Sequence, residues 1–476
     1  MKKDEKVTFN IPKENFSKWY SEILDKAEIV DIRYNVKGFV VVRPLGAFII
    51  ERMYDLWENE LQKKGHKPCF FPAVIPEENF KKEACHVKGF SPDVFWLEKV
   101  GKEKLALRPT SETAFYQLYS LWIRSWRDLP LKLYQRANVF RYETKATRPL
   151  IRGREFYWIE SHDVFASRKE AEKQVQEDIS ITEKIMHQKL GIPFLALRRP
   201  EWDKFPGAEY TIGSDVLMPD GKVIQQPSTH LLSQGFAKSF GIKFKNKNDK
   251  QEYVWQTCYG PAISRILASL IALHGDNSGL VLPFVIAPIQ VIIIPIYTAK
   301  NKIKIIKKAE QIKEKLKQQG IRVEIDMTED TPGEKFYYWE LKGVPLRIEI
   351  GEKEKNKLTL FLRDLKKRIK VGVDSVKKEG EKLDERLKKR ADNNFKKSIV
   401  DCKNEEEIRN ALKNRKIARC CFCFVDKRGE KCAEVIEKKL NAFVRGVRHD
   451  KREKAKGKCV ICGKKAEEVV YIAKSY

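Results

Sequence analysis

The sequence predicts an α+β protein in three parts, with boundaries near residues 285 and 375. Residues 1–285 combine short strands, turn residues and flanking helices, which predicts an antiparallel α+β domain. Over 286–375 strand and helix alternate regularly, which predicts a small α/β domain. Residues 376–476 hold seven of the ten cysteines and predict a small, cysteine-bearing α/β unit. A chain of 476 residues is long enough for about three domains.

The first part opens with helices recognisable by their apolar periodicity. Residues 10–25 place their aromatic side chains on one side, and residues 46–64 form a longer apolar pattern that ends at Gly65. The following KPCFFPAVIP, residues 67–76, predicts one short strand. Its three prolines indicate a sheet edge or an interface, because proline gives no ladder donor.

The remaining elements follow from periodicity and turn residues. In the first part these are a hairpin over 93–107 turning at Lys102, a helix over 168–191, a hairpin turn at Asp220-Gly221, a strand over 253–260 and an apolar helix over 263–274. The second part should hold a strand over 290–297, a Lys-rich helix to Gln319, a strand over 321–327, a helix over 331–341 and a strand over 346–351, in a largely parallel sheet. We expect charged helix over 376–416 and the cysteine-bearing unit over 417–476.

Composition and charge narrow the class of protein. A hydrophobic share of 42% and an aromatic share of 11% are typical of globular proteins. Apolar runs are too short to span a membrane, and the first residues do not resemble a secretory signal, so we expect a cytoplasmic location. The net charge of +28 favours a polyanionic partner such as nucleic acid, the alternative being a generally lysine-rich surface.

The stretch from Leu107 to Asp163 carries the strongest functional signal. It begins with RPTSET ahead of an amphipathic helix and continues into FRYETKATRPLIRGREF, where arginines alternate with aromatic residues. Arginine binds phosphate through paired hydrogen bonds, and aromatic faces accept bases and apolar rings. The stretch therefore suggests a pocket for a nucleotide and a small zwitterion, with a solvated basic hairpin as the alternative.

Several long strings then occur in a characteristic order. After RPTSET and FRYETKATRPLIRGREF come RPEWDKFPGAEYT, TCYG with ILASLIALHGD, LVLP and APIQV. Their order resembles motifs 1, 2 and 3 of class II aminoacyl-tRNA synthetases, and the strings themselves resemble the prolyl-tRNA synthetase family, from about Phe16 to Tyr476. The resemblance implies a class II antiparallel-sheet catalytic domain, an anticodon-binding domain and a zinc-binding-like terminal domain. It also implies that L-proline and ATP form prolyl-adenylate, and that proline is then transferred to tRNA(Pro).

The resemblance assigns roles to residues by their positions in these motifs. Arg141 and Arg265 would be catalytic, at the α-phosphate and at the γ-phosphate of a bent ATP, with Mg²⁺ bridging the phosphates. ATP would also contact Glu143, Arg152, Phe156, Gln225 and Ser228. Proline would be bound by Thr110, Glu112, Arg141, Trp158, Glu160, His162, Phe205 and His230, with Thr110 and Glu112 at its ammonium.

Three positions depart from the family pattern. Ser228 stands where the family usually has threonine, and Ser161 where it has glycine. Between Gly260 and Arg265 the sequence has four residues, whereas the pattern has three. We expect Ser161 and this loop to face the same pocket, with activity retained because every charged group is kept.

The resemblance extends to partners and specificity. Glu340 and Arg347, in WELKGVPLRIEIG, would face anticodon guanines, with an ordinary ion pair between them as the alternative. Motif 1, the helix over 46–64 with Pro72, implies a homodimer. About a hundred residues separate Arg152 from Gly260, too few for the inserted editing domain of bacterial relatives, which implies the archaeal/eukaryotic type.

Cys459-Val-Ile-Cys462-Gly has the spacing of half a zinc site, with two thiolates on a tight turn. Family members with zinc carry an upstream Cys-x₄-Cys pair, of which Cys432 is the second member, whereas Lys427 occupies the first position. Cys423 is the best substitute, with Cys421 and Asp426 as alternatives, and a site without metal is also open. The final YIAKSY resembles the family's terminal tyrosine, so we expect Tyr476 to be ordered near the active site.

Two other functions stay open at this point. A synthetase for another small amino acid would share the motifs. A catalytically inactive RNA-binding paralogue is a second alternative, although it would have no reason to keep Arg141, Glu143, Arg152 and Arg265 together.

Overall fold

The computed structural model describes residues 9, 11–84, 94–98, 103–352 and 357–476. Its helices are α1 Phe16–Lys26, α2 Pro44–Lys63, α3 Glu77–Ala84, α4 Glu112–Trp122, α5 Arg168–Thr182, α6 Gly235–Phe240, α7 Ile263–His274, α8 Lys302–Gln318, α9 Pro332–Leu341, α10 Val376–Lys397, α11 Glu405–Lys413 and α12 Glu430–Leu440. A π-helical segment, Glu183–Lys189, prolongs α5, and 3₁₀ turns occur at Trp126–Asp128, Val373–Ser375 and Lys427–Gly429.

The strands are β1 Val30–Asp31, β2 Val41–Val42, β3 Lys67–Pro68, β4 Val74–Pro76, β5 Leu105–Leu107, β6 Leu131–Phe140, β7 Glu155–Phe165, β8 Leu195–Arg198, β9 Tyr210–Leu217, β10 Lys222–Ser233, β11 Lys243–Lys245, β12 Gln251–Tyr253, β13 Trp255–Gly260, β14 Val291–Pro295, β15 Val323–Ile325, β16 Leu346–Ile350, β17 Leu358–Leu362, β18 Lys367–Val371, β19 Ile399–Cys402, β20 Ile417–Phe422, β21 Phe443–Arg448 and β22 Glu468–Ser475.

A large sheet organises the first and last parts of the chain. Its strand order is β19-β20-β22-β21-β8-β9-β10-β13-β7-β6-β3, and the central pairings from β8 to β6 are antiparallel. Helices α2, α5 and α7 cover one face and share an apolar core with it. The functional site lies on the other face. Helix α4 packs beside this site, where Tyr116 and Tyr119 contact His162 of β7. The α+β class predicted for this part is confirmed.

The middle part forms its own sheet, ordered β15-β14-β16-β17-β18. The pairings of β14 with β15 and β16 are parallel, but β16, β17 and β18 are antiparallel. The prediction of a largely parallel sheet is therefore correct for only half of the pairings. The first half of α10 packs against this sheet, with Val376, Leu383 and Leu387 in its core.

The helix predictions over 168–191, 263–274 and 331–341 agree with the structure, whereas two strand predictions and one helix prediction are wrong in detail. Residues 67–76 form two strands instead of one, because β3 pairs with β6 and β4 pairs with β5. The strand over 253–260 is interrupted at Val254, where β12 ends and β13 begins. The charged helix over 376–416 is divided by β19, and the turn at Lys102 lies outside the described residues.

The terminal unit is joined to the first part by backbone pairing. Strand β21 pairs with β8 at Val447 and Arg198, and β22 pairs with the start of β10 at Lys474 and Lys222. The last part of the chain thus extends the central sheet. Among the described residues no helix has the length and apolarity to cross a membrane.

Candidate active site

Two cavities of about 440 and 450 Å³ lie side by side on the open face of the central sheet. Four of the predicted residues, Arg141, Glu143, Phe156 and Arg265, line both cavities. The smaller cavity is also lined by seven of the other predicted residues, Thr110, Glu112, Trp158, Phe205, Gln225, Ser228 and His230. Arg152 lines the larger one. Residues far apart in sequence are therefore brought together.

The region shared by the two cavities is strongly cationic. Burial and the neighbouring charges of Arg141 and Arg152 lower the pKa of Arg265 to about 10. Arg265 is held by backbone carbonyls, with Nε donating to Ile151 O at 3.1 Å and Nη1 to Gln225 O at 3.1 Å. Glu143 lies 3.9 Å from Arg152. Three guanidinium groups so close together repel one another, so a polyanion between them would relieve that repulsion.

Aromatic rings border this cationic region. The Arg141 guanidinium lies 5.2 Å from the Phe156 ring centre and 5.4 Å from that of Trp158. Its Nε donates to Pro109 O at 3.2 Å, which fixes its direction. A planar base and a phosphate therefore both have suitable partners within one side-chain length.

The opposite end of the smaller cavity is acidic and enclosed. Glu112 begins helix α4 and is 3% exposed. The Thr110 hydroxyl donates to the Glu112 carboxylate, and the Cys258 thiol lies 3.4 Å from Glu112 Oε1. Because a buried carboxylate is stable only when it is paired or hydrogen-bonded, Glu112 is prepared for a cationic ligand such as a secondary ammonium.

Glu160 and His162 lie beneath this end and do not line the cavity. Glu160 accepts hydrogen bonds from Ser111 N at 2.8 Å and Ser111 Oγ at 2.7 Å, and its Oε2 lies 2.9 Å from Thr110 Oγ1. Burial alone would raise the pKa of Glu160, but hydrogen bonds from His162 and Ser111 lower it to about 2. The geometry makes these two residues supports of the Thr-Ser-Glu loop instead of cavity walls.

His230 forms the facing wall as a neutral ring. Burial, with the charges of Arg199 and His162, lowers the pKa of His230 to about 3. Its Nδ1 lies 2.8 Å from Thr211 Oγ1 and its Nε2 lies 3.1 Å from Ser228 Oγ. The Phe205 ring packs against it with centres 4.8 Å apart. This side of the cavity is therefore flat and largely apolar, as a small aliphatic ring requires.

Gln225 is held by a buried ion-pair network that includes the terminal unit. Arg199 Nη2 donates to Gln225 Oε1 at 2.9 Å and to Asp215 Oδ1 at 2.6 Å, while Arg445 Nε donates to Asp215 Oδ2 at 2.8 Å. The two arginines hold the pKa of Asp215 low although burial would raise it. Gly213 allows this arrangement, since a Cβ there would lie 2.3 Å from Arg199 Nη2.

The positions that depart from the family pattern fall on different faces of the sheet. Gly260 lies in the site, where a Cβ would meet the Trp158 ring at 2.5 Å, and Ala262 of the longer loop lines the same cavity. Ser161 points to the other face, where its hydroxyl donates to Asp163 Oδ1 at 2.9 Å. The expectation that Ser161 and the loop share a pocket is wrong, because neighbouring strand residues alternate between faces.

Tyr476 is held beside the larger cavity. Its hydroxyl donates to Asp220 Oδ2 at 2.7 Å, and its ring lies 5.7 Å from the guanidinium of Arg148, which lines the cavity. The same guanidinium lies over Tyr20 at 4.9 Å. Arg148 thus joins the last residue of the sequence to helix α1.

Glu340 and Arg347 lie in the middle part, away from the two cavities. Arg347 is 4% exposed, and its guanidinium lies between the rings of Phe336 at 4.0 Å and Phe361 at 4.1 Å. Arg347 forms an ion pair with Glu349, at 2.9 Å. The alternative of an ion pair between Arg347 and Glu340 is therefore wrong.

Four cysteines of the terminal unit form a compact cluster. The Sγ atoms of Cys423, Cys432, Cys459 and Cys462 all lie within 4.8 Å of one another. A tetrahedron with Zn–S bonds of about 2.3 Å places its sulfurs about 3.8 Å apart, so this donor set fits zinc. Cys423 is thereby the fourth member, in preference to Cys421 or Asp426.

Several supporting residues escaped the sequence analysis. Ser111, Thr211, Cys258 and Arg199 each hold a predicted residue in place. Ser111 lies in the string RPTSET and Cys258 in TCYG. Arg199 and Thr211 are the first and last residues of RPEWDKFPGAEYT. The signal that could have identified these four residues was their place within the motif strings. The contacts that they make could not be read from the sequence, because those contacts depend on strand pairing.

Models of known families match all three parts of the chain. The class II tRNA synthetase core domain (G, H, P, S and T) matches residues 95–274, an anticodon binding domain matches 290–385, and a prolyl-tRNA synthetase C-terminal domain matches 405–476.

Individual proteins resemble the chain over nearly its whole length. A proline–tRNA ligase of Thermofilum pendens is 51% identical, covering 97% of this chain and 98% of its own, and one of Methanopyrus kandleri is 44% identical, covering 97% and 96%. The structure of Giardia lamblia prolyl-tRNA synthetase in complex with prolyl-adenylate superposes with a TM-score of 0.94 at 39% identity, covering 98% of this chain and 100% of the other.

Proposed function

The chain belongs to the prolyl-tRNA synthetases, which activate proline with ATP and charge tRNA(Pro), and we propose that both steps take place in the paired cavities. One observation carries the assignment. Arg141 and Arg265 line one end of a cavity whose other end holds a buried carboxylate, a flat apolar wall lies between them, and Arg152 adds its charge from the adjoining cavity. The carboxylate, the apolar wall and the arginines thus follow one another in the same order as the ammonium and ring of proline and the phosphates of ATP, when the two substrates lie end to end.

Proline would be bound by its ring and its ammonium. Glu112 and Thr110 would accept hydrogen bonds from the ammonium, because both oxygens border the enclosed end of the cavity. The ring would lie among Trp158, Phe205 and neutral His230, which line the same cavity. Glu160 and His162 would act through the loop that they support.

ATP would occupy the cationic region. The adenine would stack on Phe156, Arg141 would bind the α-phosphate, and Arg265 and Arg152 would bind the terminal phosphates. Glu143 and Gln225 border the same space, and the Ser228 hydroxyl faces it beside His230. Mg²⁺ would accompany the phosphates, since the Glu143 carboxylate supplies the oxygen donor that this ion prefers.

The chemistry then follows from the placement of charge. A proline carboxylate oxygen attacks the α-phosphorus, and the bond to the bridging oxygen breaks to release pyrophosphate. Negative charge grows on the phosphate oxygens, where Arg141 and Arg265 stabilise it without rearrangement. In the second step a ribose hydroxyl of tRNA(Pro) attacks the prolyl carbonyl carbon, AMP leaves with the bonding electrons, and the hydroxyl proton is released.

Replacement of Arg265 by lysine tests this assignment. Lysine keeps the charge but loses the paired geometry, so we expect Arg265→Lys to lower kcat in proline-dependent ATP–pyrophosphate exchange about 100-fold. Arg168→Lys is the matched control, because Arg168 is an exposed arginine that pairs with Glu172 and Glu209. An Arg265→Lys enzyme with the wild-type rate would contradict the role.

We also propose that two chains form a homodimer through α2 and the β3 edge. Strand β3 ends the central sheet, and Phe70 just after it is 86% exposed, while Phe48 on α2 is 59% exposed. Exposed aromatic side chains next to an unpaired strand edge favour a protein interface. A cytoplasmic location, where tRNA(Pro) is charged, completes this proposal.

Anticodon reading is proposed for Glu340 and Arg347. Glu340 is half-buried near the end of α9, and the Arg347 guanidinium is held flat between two phenyl rings. A flat guanidinium can pair with a guanine edge and a carboxylate can accept from its amino group.

For the four-cysteine cluster we propose a structural zinc ion. The cluster joins β20, α12 and the loop before β22, so Cys₄ coordination would tie these segments together. We expect purified protein to contain about one zinc per chain by elemental analysis, and Cys423→Ser to reduce it below half. Cys421→Ser is the matched control, since Cys421 lies two residues away and outside the cluster. Less than half a zinc in the wild type would refute the site.

A further inference from the structure

A third cavity, of about 380 Å³, lies where the residues before α1 meet the end of α7 and the second half of α10. Its lining shares no described residue with the two catalytic cavities. Lys13, His274, Arg390 and Arg415 line it, and Glu14 is the acidic residue among its described lining. The cavity therefore carries an excess of positive charge at a junction of three parts of the chain.

The three cations of this cavity donate hydrogen bonds to backbone carbonyls, and Lys13 Nζ also lies 5.2 Å from the centre of the Trp19 ring. Lys13 Nζ donates to Gly275 O at 2.5 Å, Arg390 Nη2 to His274 O at 3.3 Å and Arg415 Nη1 to Pro219 O at 3.4 Å. Among the described residues, no carboxylate oxygen lies within 4.0 Å of the side-chain nitrogens of Lys13, Arg390 or Arg415. Burial and the charge of Arg390 lower the pKa of Lys13 to about 8, although the charges of Asp276 and Glu14 act in the opposite direction.

His274 adds a different requirement. It is 1% exposed, and its Nε2 lies 2.7 Å from Leu190 O, so Nε2 must carry the ring proton because a carbonyl only accepts. Burial, with the charges of Arg390 and Lys13, lowers the pKa of His274 to about 4. The ring is therefore neutral, and Nδ1 is a buried acceptor for which the described residues offer no donor.

We propose that this cavity is a second ligand site, which binds a phosphate group that also carries a hydroxyl. The phosphate oxygens accept hydrogen bonds from Arg390, Arg415 and Lys13, and the hydroxyl donates to His274 Nδ1. Guanidinium groups pair with phosphate in this way, and a cavity of this size lies within the range of small-ligand pockets. Both hydrogen phosphate and a phosphate ester of a sugar have this chemistry.

Equilibrium dialysis with radiolabelled orthophosphate tests the site directly. The full-length protein is first saturated with proline and an ATP analogue whose α,β-phosphate bridge cannot be cleaved, so that the catalytic cavities are occupied, including the region proposed for the terminal phosphates. We expect saturable binding of one phosphate per chain, and Arg390→Gln should weaken it by about tenfold or more. Lys389→Gln is the matched control, because Lys389 is the exposed neighbour on the same helix and does not line the cavity.

Sulfate provides the test of the histidine. It has the shape and charge of phosphate but carries no hydroxyl at neutral pH, so it should bind more weakly than phosphate. His274→Phe, with the unfolding temperature measured in parallel, should reduce this preference. Equal affinity for both anions in the wild type would overturn the role of His274.

The source of the phosphate is distinguished by adding tRNA(Pro). Displacement of phosphate by tRNA would assign the site to a phosphate and ribose hydroxyl of the nucleic acid, and unchanged binding would assign it to a free small molecule. Absence of saturable phosphate binding in the blocked enzyme, or equal binding by the wild type and Arg390→Gln, would overturn the proposal.

Discussion

The two histidines of the site, His162 and His230, have pKa values shifted in opposite directions although both are buried. The carboxylates of Glu160 and Glu112 raise the pKa of His162 against the effect of burial. His230 faces hydroxyl groups and the cation of Arg199, so its pKa falls to about 3. The site thus has a histidine paired with carboxylates beneath the ammonium end and a neutral wall opposite, which suits a ligand that is zwitterionic at one end and apolar at the other.

Thr211 fixes the orientation of the neutral histidine, and its loss should affect proline binding. Its Oγ1 lies 2.8 Å from His230 Nδ1 and also accepts from Phe205 N at 2.9 Å. Thr211→Val removes both hydrogen bonds, each worth about 1 kcal/mol. We expect KM for proline in ATP–pyrophosphate exchange to rise about tenfold, while KM for ATP changes little. Thr211→Ser should restore the wild-type value, and equal KM values for all three proteins would contradict this role.

Sequence reasoning found the residues whose chemistry is distinctive and missed those that act by position. Arg141, Glu112 and Arg265 were chosen because they stand in or beside the motif strings of the family, and all three line the smaller cavity. Ser111 and Thr211 are ordinary hydroxyl residues, and their partners lie on other strands. The face occupied by Ser161 was predictable from strand alternation, once β7 was known to begin at Glu155.

At the scale of elements, helices with a clear apolar face were predicted well. Helix α7 has the predicted bounds, because its apolar residues recur at helical spacing and Gly275 follows its last residue. Short strands were predicted less accurately than these helices. Strand β19 is a four-residue segment, IVDC, whose place is fixed by parallel pairing with β20, and such a contact leaves no local signature. Strand β3 has two residues and exists only through its pairing with β6.

Helix α5 places a buried acid against the covered face of the central sheet. Asp178 accepts hydrogen bonds from Thr229 Oγ1 and Gln174 Nε2, both at 2.7 Å, near Asp163 and His66. His66 lies 2.9 Å from Asp163 Oδ2 and 3.1 Å from Leu61 O. Both of these oxygens accept, so His66 is the cation of the cluster and Asp163 its anion. Burial, with the charge of Asp163, raises the pKa of Asp178 to about 7.

This raised pKa predicts the direction of a pH effect on stability. The folded chain keeps the Asp178 proton up to about pH 7, whereas an unfolded aspartate loses it near pH 4. The contribution of Asp178 to the free energy of unfolding therefore falls as pH rises from about 4 to 7. His66 acts in the same direction, because its raised pKa makes its contribution decline as pH rises.

Asp178→Asn tests this effect by removing the titrating group. The difference in unfolding free energy between wild type and variant should shrink or reverse from pH 4 to pH 7, by on the order of 2–4 kcal/mol. Urea unfolding at several pH values measures it. Asp249→Asn, at an exposed position, is the matched control and should give a constant difference. A constant difference for Asp178→Asn would show that Asp178 does not hold its proton.

At the scale of the whole molecule, the three parts are linked by contacts that few local patterns reveal. Arg445 of the terminal unit pairs with Asp215 and so supports Gln225 in the catalytic wall. Arg363 of the middle part donates to both oxygens of Asp276, just after α7. The division into three parts was readable from composition and periodicity, whereas these links depend on the assembled fold. They connect the first part of the chain to both other parts.

The architecture also bears on fidelity. Residues 153–259 are all described and form β7 to β13 with α5 and α6. Within this range the structure has no further domain that could hydrolyse a mischarged tRNA. With proline bound as proposed, discrimination against smaller amino acids would depend on the pocket around Trp158, Phe205 and His230. Each missing methylene changes the binding free energy by about 1–3 kcal/mol, and alanine lacks two of those in the proline ring.

We therefore expect measurable activation of alanine, and of cysteine, whose thiol occupies part of the ring volume. Alanine-dependent ATP–pyrophosphate exchange should proceed with kcat/KM about 10²–10⁴-fold below that of proline, a ratio that two methylenes provide. Glycine, which also lacks the remaining side-chain carbon, serves as the lower reference and should be slower than alanine. If exchange with both alanine and cysteine were below the glycine rate, the pocket would have to reject them by a contact other than ring packing, and the buried Glu112–Cys258 pair would be the first place to look.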